Sequence, residues 1–201
     1  MELYLITGFL GAGKTTFLKN FARQFAGRRL RLIINEFGRA GVDGTLLREL
    51  DAALDEISNG SIFCACRLDQ FEAALEQAAA DAPDVVLVEA SGLADPTNVR
   101  RVLAQFPAVS YQGSVCVADA ARLEKVFSTA RACPRQLAVS SLVLLNKTDL
   151  ATEAQCAEAK ALILRANPAA RIRRTQFGRF EPEWLSLIVP DVDVDEVLDM
   201  P

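Results

Sequence analysis

Hydrophobic positions in this 201-residue chain occur as short runs separated by longer amphipathic stretches. Each run holds only a few residues and is rich in Val, Ile or Leu. Continuous rather than alternating hydrophobicity is typical of strands that are buried on both faces of a parallel sheet. We interpret six runs as strands: Leu3–Thr7, Leu30–Ile34, Val85–Val88, Ser114–Ala118, Leu142–Leu145 and the less apolar Ala170–Thr175.

The stretches between these runs carry helix signals. In DQFEAALEQAAA, Asp69 is a candidate N-cap and Glu72 follows three residues later, which is the spacing of a capping box. The stretch TEAQCAEAKALILRA repeats this spacing with Thr152 and Gln155. Because strand and helix patterns alternate, we predict an α/β fold of three layers, with a mostly parallel central sheet and helices on both faces.

The chain is long and hydrophobic enough for one domain, since 51% of its residues are apolar. We predict that this domain spans residues 1–188 and that an acidic segment, 189–201, follows it. The last eleven residues, DVDVDEVLDMP, carry five acids and no base. Their alternation of Val and Asp fits an edge strand, and a loose acidic tail fits equally well.

Composition removes several function classes. The net charge of −4 argues against a general nucleic-acid-binding protein. The chain shows no signal-peptide pattern and no run of 18 apolar residues, so we expect no membrane partner and no membrane span. The five cysteines show no paired framework, which favours reduced thiols in a cytoplasmic protein. The chain has no histidine, so any metal or acid–base chemistry falls to Cys, Asp, Glu or water.

The segment GFLGAGKT fits the phosphate-loop pattern G-x-x-x-x-G-K-[ST], after a strand signal and before a helical one. Glycines let backbone N–H groups curl around phosphate oxygens, and the helix that follows presents its positive end. We predict a P-loop NTPase fold in which Lys14 reaches the β- and γ-phosphates, Thr15 ligates Mg²⁺ and Thr16 supports the α-phosphate. The candidate phosphate-binding residues are Gly8, Gly11, Ala12, Gly13, Lys14, Thr15 and Thr16.

The segment LVLLNKTDL places Asn146, Lys147 and Asp149 at the end of a buried strand. Strand ends in doubly wound sheets line the ligand crevice. A carboxylate there accepts two hydrogen bonds from the guanine N1–H and exocyclic amine, a pair that adenine does not offer. The pattern N-K-x-D therefore predicts GTP as the nucleotide.

Two further segments are candidates for reading the γ-phosphate. In DVVLVEASGLADP the strand ends in Glu89, whose carboxylate would hold a Mg²⁺-bound water, although a salt bridge is the competing interpretation. The backbone N–H of Gly92 would contact the γ-phosphate. In INEFGRAGVD the candidate switch contacts are Asn35, Glu36 and Asp43, and a plain turn is the alternative for each of them.

The order of GFLGAGKTT, NEFG, NGSIFC, EASGLADP and NKTDL resembles the CobW family of P-loop GTPases, which is similar to UreG and HypB. The resemblance covers roughly residues 1 to 185. It implies GTP and Mg²⁺ binding, slow GTP hydrolysis, and nucleotide-controlled delivery of zinc, cobalt or nickel. The implied recipient is a client metalloprotein or a maturation factor, including those of cobalamin and corrinoid pathways.

The cysteine segment departs from the pattern of that family, which commonly carries C-x-C-C after NG. In NGSIFCACR, Ser61 and Phe63 stand where the first two thiols would be, Cys64 is in register, and Cys66 is added. Two thiolates supply half of a tetrahedral site, but in an extended segment they lie about 6–7 Å apart. A bend with Asp69 or Glu36, or a homodimer with a second pair, would complete the site. The alternative is that both cysteines act as small hydrophobic residues, as we expect of Cys116, Cys133 and Cys156.

The sequence therefore supports a GTPase in which Lys14, Thr15, Glu89 and Gly92 act on the phosphates. No histidine or well-placed glutamine would orient the attacking water, so we expect slow intrinsic turnover. Metal delivery is the first functional class, and a GTP-dependent switch that docks a partner protein without handling metal is the second. A metabolite kinase is a third, for which the sequence offers no acceptor site.

Overall fold

The computed structural model describes residues 1–35, 44–57 and 68–190. Its strands form one sheet in the order β3-β2-β4-β1-β5-β6-β7, and every neighbouring pair is parallel. The prediction of a mostly parallel sheet is therefore confirmed. The strands are β1 Glu2–Thr7, β2 Leu30–Asn35, β3 Ala53–Ile57, β4 Val85–Glu89, β5 Ser110–Asp119, β6 Leu142–Asn146 and β7 Arg171–Arg174.

Helices cover both faces of the sheet, as predicted. The helices α1, α2 and a closing 3₁₀ turn at Pro182–Leu187 pack on one face, and α3 to α7 pack on the other. The result is the three-layer P-loop NTPase fold. The helices are α1 Lys14–Ala22, α2 Gly44–Leu50, α3 Leu68–Asp81, α4 Val99–Leu103, α5 Leu123–Thr129, α6 Ala132–Ala138 and α7 Glu153–Ala166.

An aromatic cluster on the α1 face fixes the C-terminal part of the domain against that helix. The rings of Phe17 and Phe21 stack with centroids 5.2 Å apart, and Phe180 meets Phe21 edge-on at 4.8 Å. Aromatic pairs of this kind add about 0.5–1.5 kcal/mol to the burial of their surface. The cluster therefore holds the turn after β7 beside the start of α1.

The strand predictions succeeded for the buried strands and missed one edge strand. All six predicted runs are strands, although β5 begins at Ser110 rather than at Ser114. The missed strand is β3, whose sequence ALDEI is short and carries two acids. It lies at the edge of the sheet and only its last residue is buried, so it lacks the continuous hydrophobic run that marked the others.

One of the two capping predictions is confirmed and the other is wrong. Gln155 N donates to Thr152 Oγ1 at 3.2 Å, and Thr152 N donates to Gln155 Oε1 at 2.9 Å, which completes a capping box. The N-cap assignment of Asp69 fails because α3 begins at Leu68, which places Asp69 within its first turn. A carboxylate there still complements the positive end of the helix.

Parallel strands carry their following loops to one edge of the sheet. β1 lies between β4 and β5, so the chain leaves it at the point where the strand order reverses. The ends of β2, β4, β5 and β6 meet at this edge. No helix among the residues that the structure describes is long and apolar enough to cross a membrane. The acidic segment 191–201 lies outside the described residues, so the boundary near residue 188 stays a prediction.

Arg31 forms ion pairs that link β2 to β3 and to α3 at the edge of the sheet. It is 6% exposed on β2, and its Nε and Nη2 donate to the Asp55 carboxylate of β3 at 2.6 and 2.9 Å. Its Nη1 donates to Asp81 at the end of α3. One guanidinium therefore fastens β3 and α3, the two elements on either side of residues 58–67, to the body of the sheet.

The replacement Arg31→Met should lower the free energy of unfolding by about 1–3 kcal/mol, because it leaves two carboxylates without their cation. Arg29→Met is the matched control, since the Arg29–Asp84 pair is solvent-exposed and should give no measurable change. Urea unfolding at pH 7 measures both variants. Equal destabilisation in the two variants would show that the Arg31 ion pairs stabilise the fold no more than the exposed Arg29–Asp84 pair does.

Candidate functional site

The loop between β1 and α1 has the backbone conformation of a phosphate cradle. It is left-handed at Gly8, Gly11 and Gly13, with φ values of 132°, 74° and 102°. Gly13 also needs to lack a side chain, since a Cβ there would lie 2.6 Å from Asn146 Nδ2. The amide of Phe17 donates to Gly13 O at 2.9 Å and starts α1 directly behind the loop. The N-terminal end of α1 thus faces the space that the loop encloses.

A cleft of about 270 Å³ opens in front of this loop. It brings together residues that the sequence predicted from three separate motifs. Gly8 and Ala12 do not line it, because Gly8 packs against β5 and Ala12 is 1% exposed in the core. The lining residues are Leu10, Gly11, Gly13, Lys14, Thr15, Thr16, Asn35, Glu89, Ser91 and Gly92.

Thr15 and Glu89 form the polar floor of the cleft. Thr15 Oγ1 donates to Glu89 Oε1 at 3.0 Å, and Glu89 is 4% exposed. The parallel register of β1 and β4 pairs Ile6 with Glu89, which sets the carboxylate directly beside the start of the phosphate loop. A hydroxyl and a carboxylate are the oxygen donors that Mg²⁺ takes together with phosphates and waters, so these residues fit the ion.

The loop after β4 rests on the phosphate loop. A Cβ at Gly92 would lie 2.6 Å from Leu10 N, so only glycine permits this approach. Behind it, Gln136 of α6 is 1% exposed and donates to the carbonyl oxygens of Gly92 and Ala94 at 3.2 and 2.9 Å. The loop is therefore anchored at its back, while Gly92 lines the cleft at its front.

The residues of N-K-x-D divide into two groups. Asn146 Nδ2 donates to Ala12 O at 2.9 Å, and Lys147 Nζ donates to Gly11 O at 2.6 Å. Both side chains therefore brace the phosphate loop through its carbonyl oxygens. Asp149 instead lies exposed in a 3₁₀ turn that begins after Lys147, where the backbone is left-handed with φ 59°. Asp149 therefore forms the second group, which is exposed to solvent.

Sequence reasoning missed several residues that complete this site. Asp119, at the end of β5, accepts from Lys147 Nζ at 2.9 Å. Asn146 Oδ1 accepts from Gly178 N at 3.0 Å, and Thr175 O accepts from Thr148 Oγ1 at 3.1 Å. The signal was available, because Asp119 ends one strand and the segment TQFG follows another, and the ends of parallel strands share one edge.

Several predicted site residues lie outside the described residues. These are Glu36 and Asp43 of the candidate switch, and Cys64 and Cys66 of the candidate metal segment. Within residues 1–35, 44–57 and 68–190, no group of three Cys, Asp or Glu residues is placed to hold a metal ion.

The other three cysteines pack in the core, as expected. Cys116, Cys133 and Cys156 are unbridged, and each is at most 3% exposed. Burial disfavours the thiolate and raises the pKa of Cys116 and of Cys133 to about 12. Cys116 and Cys133 are therefore poor nucleophiles and poor metal ligands at neutral pH.

In the native protein at pH 8, iodoacetamide should leave Cys116, Cys133 and Cys156 unmodified over a period in which the urea-unfolded chain is fully alkylated. The physical reason is that each thiol is buried, and that Cys116 and Cys133 also have raised pKa values. Peptide mass spectrometry measures each site. Alkylation of Cys116 at the unfolded rate would contradict this packing.

The replacement Lys147→Met keeps the aliphatic stem but removes both hydrogen bonds of Nζ. We expect GTP and GDP affinity to fall together by about tenfold, since the brace supports the loop in either nucleotide state. Isothermal titration calorimetry measures the change. Lys160→Met, at an exposed position of α7, is the control. Unchanged affinity in Lys147→Met would rule out the brace.

Comparison with known proteins agrees with the family resemblance of the sequence motifs. The sequence profile described as CobW/HypB/UreG, nucleotide-binding domain, matches residues 2–174. The zinc chaperone CobW of Pseudomonas aeruginosa is 32% identical over 206 residues, covering 85% of this chain and 55% of that protein. The zinc chaperone YjiA of Escherichia coli is 29% identical over 161 residues, covering 75% of this chain and 50% of that protein.

Solved structures agree on the fold. The zinc-bound YjiA GTPase from E. coli superposes with a TM-score of 0.68 at 23% identity, covering 94% of this chain and 61% of that one. The hydrogenase maturation factor HypB from Archaeoglobus fulgidus gives 0.60 at 22% identity, covering 92% and 87%. This chain spans about half the length of the curated relatives it matches. Through its match to the nucleotide-binding domain, the chain belongs to the CobW/HypB/UreG family.

Proposed function

We propose that this chain is a Mg²⁺-dependent GTPase domain whose slow hydrolysis of GTP controls delivery of a transition metal. The observation that carries the proposal is the convergence of three motifs on one edge of the sheet. The phosphate loop and the Thr15–Glu89 pair line one cleft, and Asp149 closely follows Asn146 and Lys147, which brace that loop. The recipient would be a client metalloprotein or a maturation factor.

The residues of the cleft divide the work of hydrolysis. Lys14 would neutralise charge on the β- and γ-phosphates, and Thr15 and Glu89 would hold Mg²⁺, Glu89 through a bound water. When bound, Mg²⁺ supplies positive charge that offsets the charge developing on the phosphates. The Gly92 N–H would hydrogen-bond the γ-phosphate, so that loss of this group releases the loop. Attack by water in line with the leaving group produces GDP and phosphate.

The cleft lacks a side chain suited to orient that water. None of the residues that line it in the described structure is a histidine or a glutamine. We therefore expect the isolated protein to turn over GTP at well below about one per second, and a partner or a second copy to accelerate it. Turnover of tens per second by the pure protein would contradict this mechanism.

Base selection would fall to Asp149. Its exposed carboxylate accepts from the guanine N1–H and from the exocyclic amine, whereas Asn146 and Lys147 are occupied by the phosphate loop. Adenine would leave the acceptor unsatisfied. This division explains how one short motif serves both the base and the loop.

The replacement Asp149→Asn should exchange guanosine for xanthosine nucleotides, because an amide donates where the carboxylate only accepted. We expect GTP affinity to fall by about 100-fold and XTP affinity to rise above it. Competition against a fluorescent GDP analogue measures both affinities. Asp51→Asn is the control, because Asp51 is exposed and lies just before the first residue of β3. Unchanged preference for GTP would remove the base assignment.

For the metal, the relatives favour zinc. CobW of P. aeruginosa and YjiA of E. coli are both named zinc chaperones, and a HypB structure contains nickel. In this chain, Cys64 and Cys66 are the candidate ligands, with cobalt and nickel as further candidate metals. A regulatory switch that docks a partner without binding metal is the second candidate function. The altered cysteine segment, in which Ser61 and Phe63 replace thiols, favours this second function.

Zinc and cobalt affinity separates these two functions. We expect metal binding to be at least about tenfold tighter with Mg²⁺ and a non-hydrolysable GTP analogue than with Mg²⁺ and GDP. A Cys64→Ser, Cys66→Ser variant should lose it. Competition with a chelating indicator measures the affinities, and Cys156→Ala is the matched control for a buried thiol. Weak binding in every nucleotide state would establish the docking switch instead.

A further inference from the structure

The side chain of Asn35 connects two segments that are far apart in the sequence. It is 1% exposed at the carboxyl end of β2. Its Nδ2 donates to Ile57 O at 3.0 Å, and its Oδ1 accepts from Ser91 N at 3.4 Å. One amide group therefore bridges the last residue of β3 and the loop that follows β4.

The position of β2 makes this bridge possible. β2 lies between β4 and β3, and its register pairs Ile34 with Glu89 on one side and Asn35 with Ile57 on the other. Asn35 and Glu89 end neighbouring strands, and both line the cleft. An amide donates from one atom and accepts at another, so it serves both neighbours at once.

The two hydrogen bonds differ in strength. The bond to Ile57 O has an ordinary length, whereas the bond from Ser91 N lies at the long end of the accepted range. Ser91 and Gly92 both line the cleft, so a γ-phosphate would act on this loop. The longer bond is the one that a small displacement of the loop would change first.

The hydrogen bond from Asn35 to Ile57 O holds the carboxyl end of β3. β3 is an edge strand, and β2 is its only neighbour in the sheet order of the described strands. Arg31 fastens the middle of β3 through Asp55, whereas Asn35 fastens its last residue. The chain continues from Ile57 into the segment that contains Cys64 and Cys66.

We propose that Asn35 is a positioning residue that couples the nucleotide-sensing loop at Ser91 to the carboxyl end of β3. Contact of the loop with a γ-phosphate changes the Ser91–Asn35 bond, and the same amide passes the change to Ile57. The inference rests on the proposed function, since it needs a nucleotide in the cleft. It gives that function a physical route from the phosphate site to the metal segment.

Hydrogen exchange of the β3 amides, residues 53–57, tests this coupling. The wild-type protein is compared at saturating Mg²⁺–GDP and at saturating Mg²⁺ with a non-hydrolysable GTP analogue. We expect the exchange rates to differ by about fivefold, which is the population change that one neutral hydrogen bond supplies. Equal rates in the two nucleotide states would overturn the proposal without any variant.

The replacement Asn35→Asp keeps an acceptor for Ser91 N but cannot donate to Ile57 O. This replacement should reduce the difference in β3 amide exchange rates between the two nucleotide states to within experimental error. Asn167→Asp is the matched control, because Asn167 is also 1% exposed, donates to backbone carbonyls and accepts from a backbone amide. The control should keep the full difference. If Asn35→Asp does not fold, Asn35→Ser is the second variant, because its neutral side chain is too short to donate to Ile57 O.

A nucleotide-dependent difference that survives in the folded Asn35 variant would show that the signal travels by another route. Calorimetry with GDP and the GTP analogue separates this result from failure of the proposed function. If neither nucleotide binds to the wild type, the function itself is wrong. If both bind and β3 does not respond, only the coupling is wrong.

Discussion

The hydrogen bonds from two side chains to the phosphate loop are the interactions on which the rest of the site depends. Asn146 and Lys147 reach from the end of β6 to the carbonyl oxygens of Ala12 and Gly11. With those carbonyls occupied, the loop keeps the left-handed turns that leave its amides for an anion. Lys147 is held in turn by Asp119 of β5. Three neighbouring strands therefore set the shape of one short loop.

The same edge of the sheet brings the cleft close to the carboxyl end of β3. Glu89 ends β4 and accepts from Thr15, and Asn35 ends the neighbouring strand β2. The loop after β4 touches the phosphate loop at Gly92 and touches Asn35 through Ser91. The Thr15–Glu89 pair and the Ser91–Asn35 pair thus lie at neighbouring strand ends and line one cleft. In the coupling that we propose, a nucleotide-dependent signal would pass from the loop at Ser91 through Asn35 to the carboxyl end of β3.

The sequence predicted the parts of this structure that leave a local mark. Buried strands appear as hydrophobic runs, and the phosphate loop appears as a fixed glycine spacing. The missed strand β3 has no such run, because it is an edge strand and only its last residue is buried. The bracing role of Lys147 was also beyond sequence reasoning, since it depends on Gly11, a residue that lies 136 positions away. Contacts at that separation follow from the strand order, which local patterns do not specify.

The central claim is that this edge of the sheet forms a guanine-specific phosphate site, and direct titration of the unmodified protein tests it. Isothermal titration calorimetry with Mg²⁺ would compare GDP and GTP with ADP and ATP. Our interpretation predicts saturable binding of both guanine nucleotides and affinity for the adenine nucleotides at least about 100-fold weaker, because Asp149 would lack its two donors. Equal affinity for ATP and GTP, or no binding of either, would contradict it.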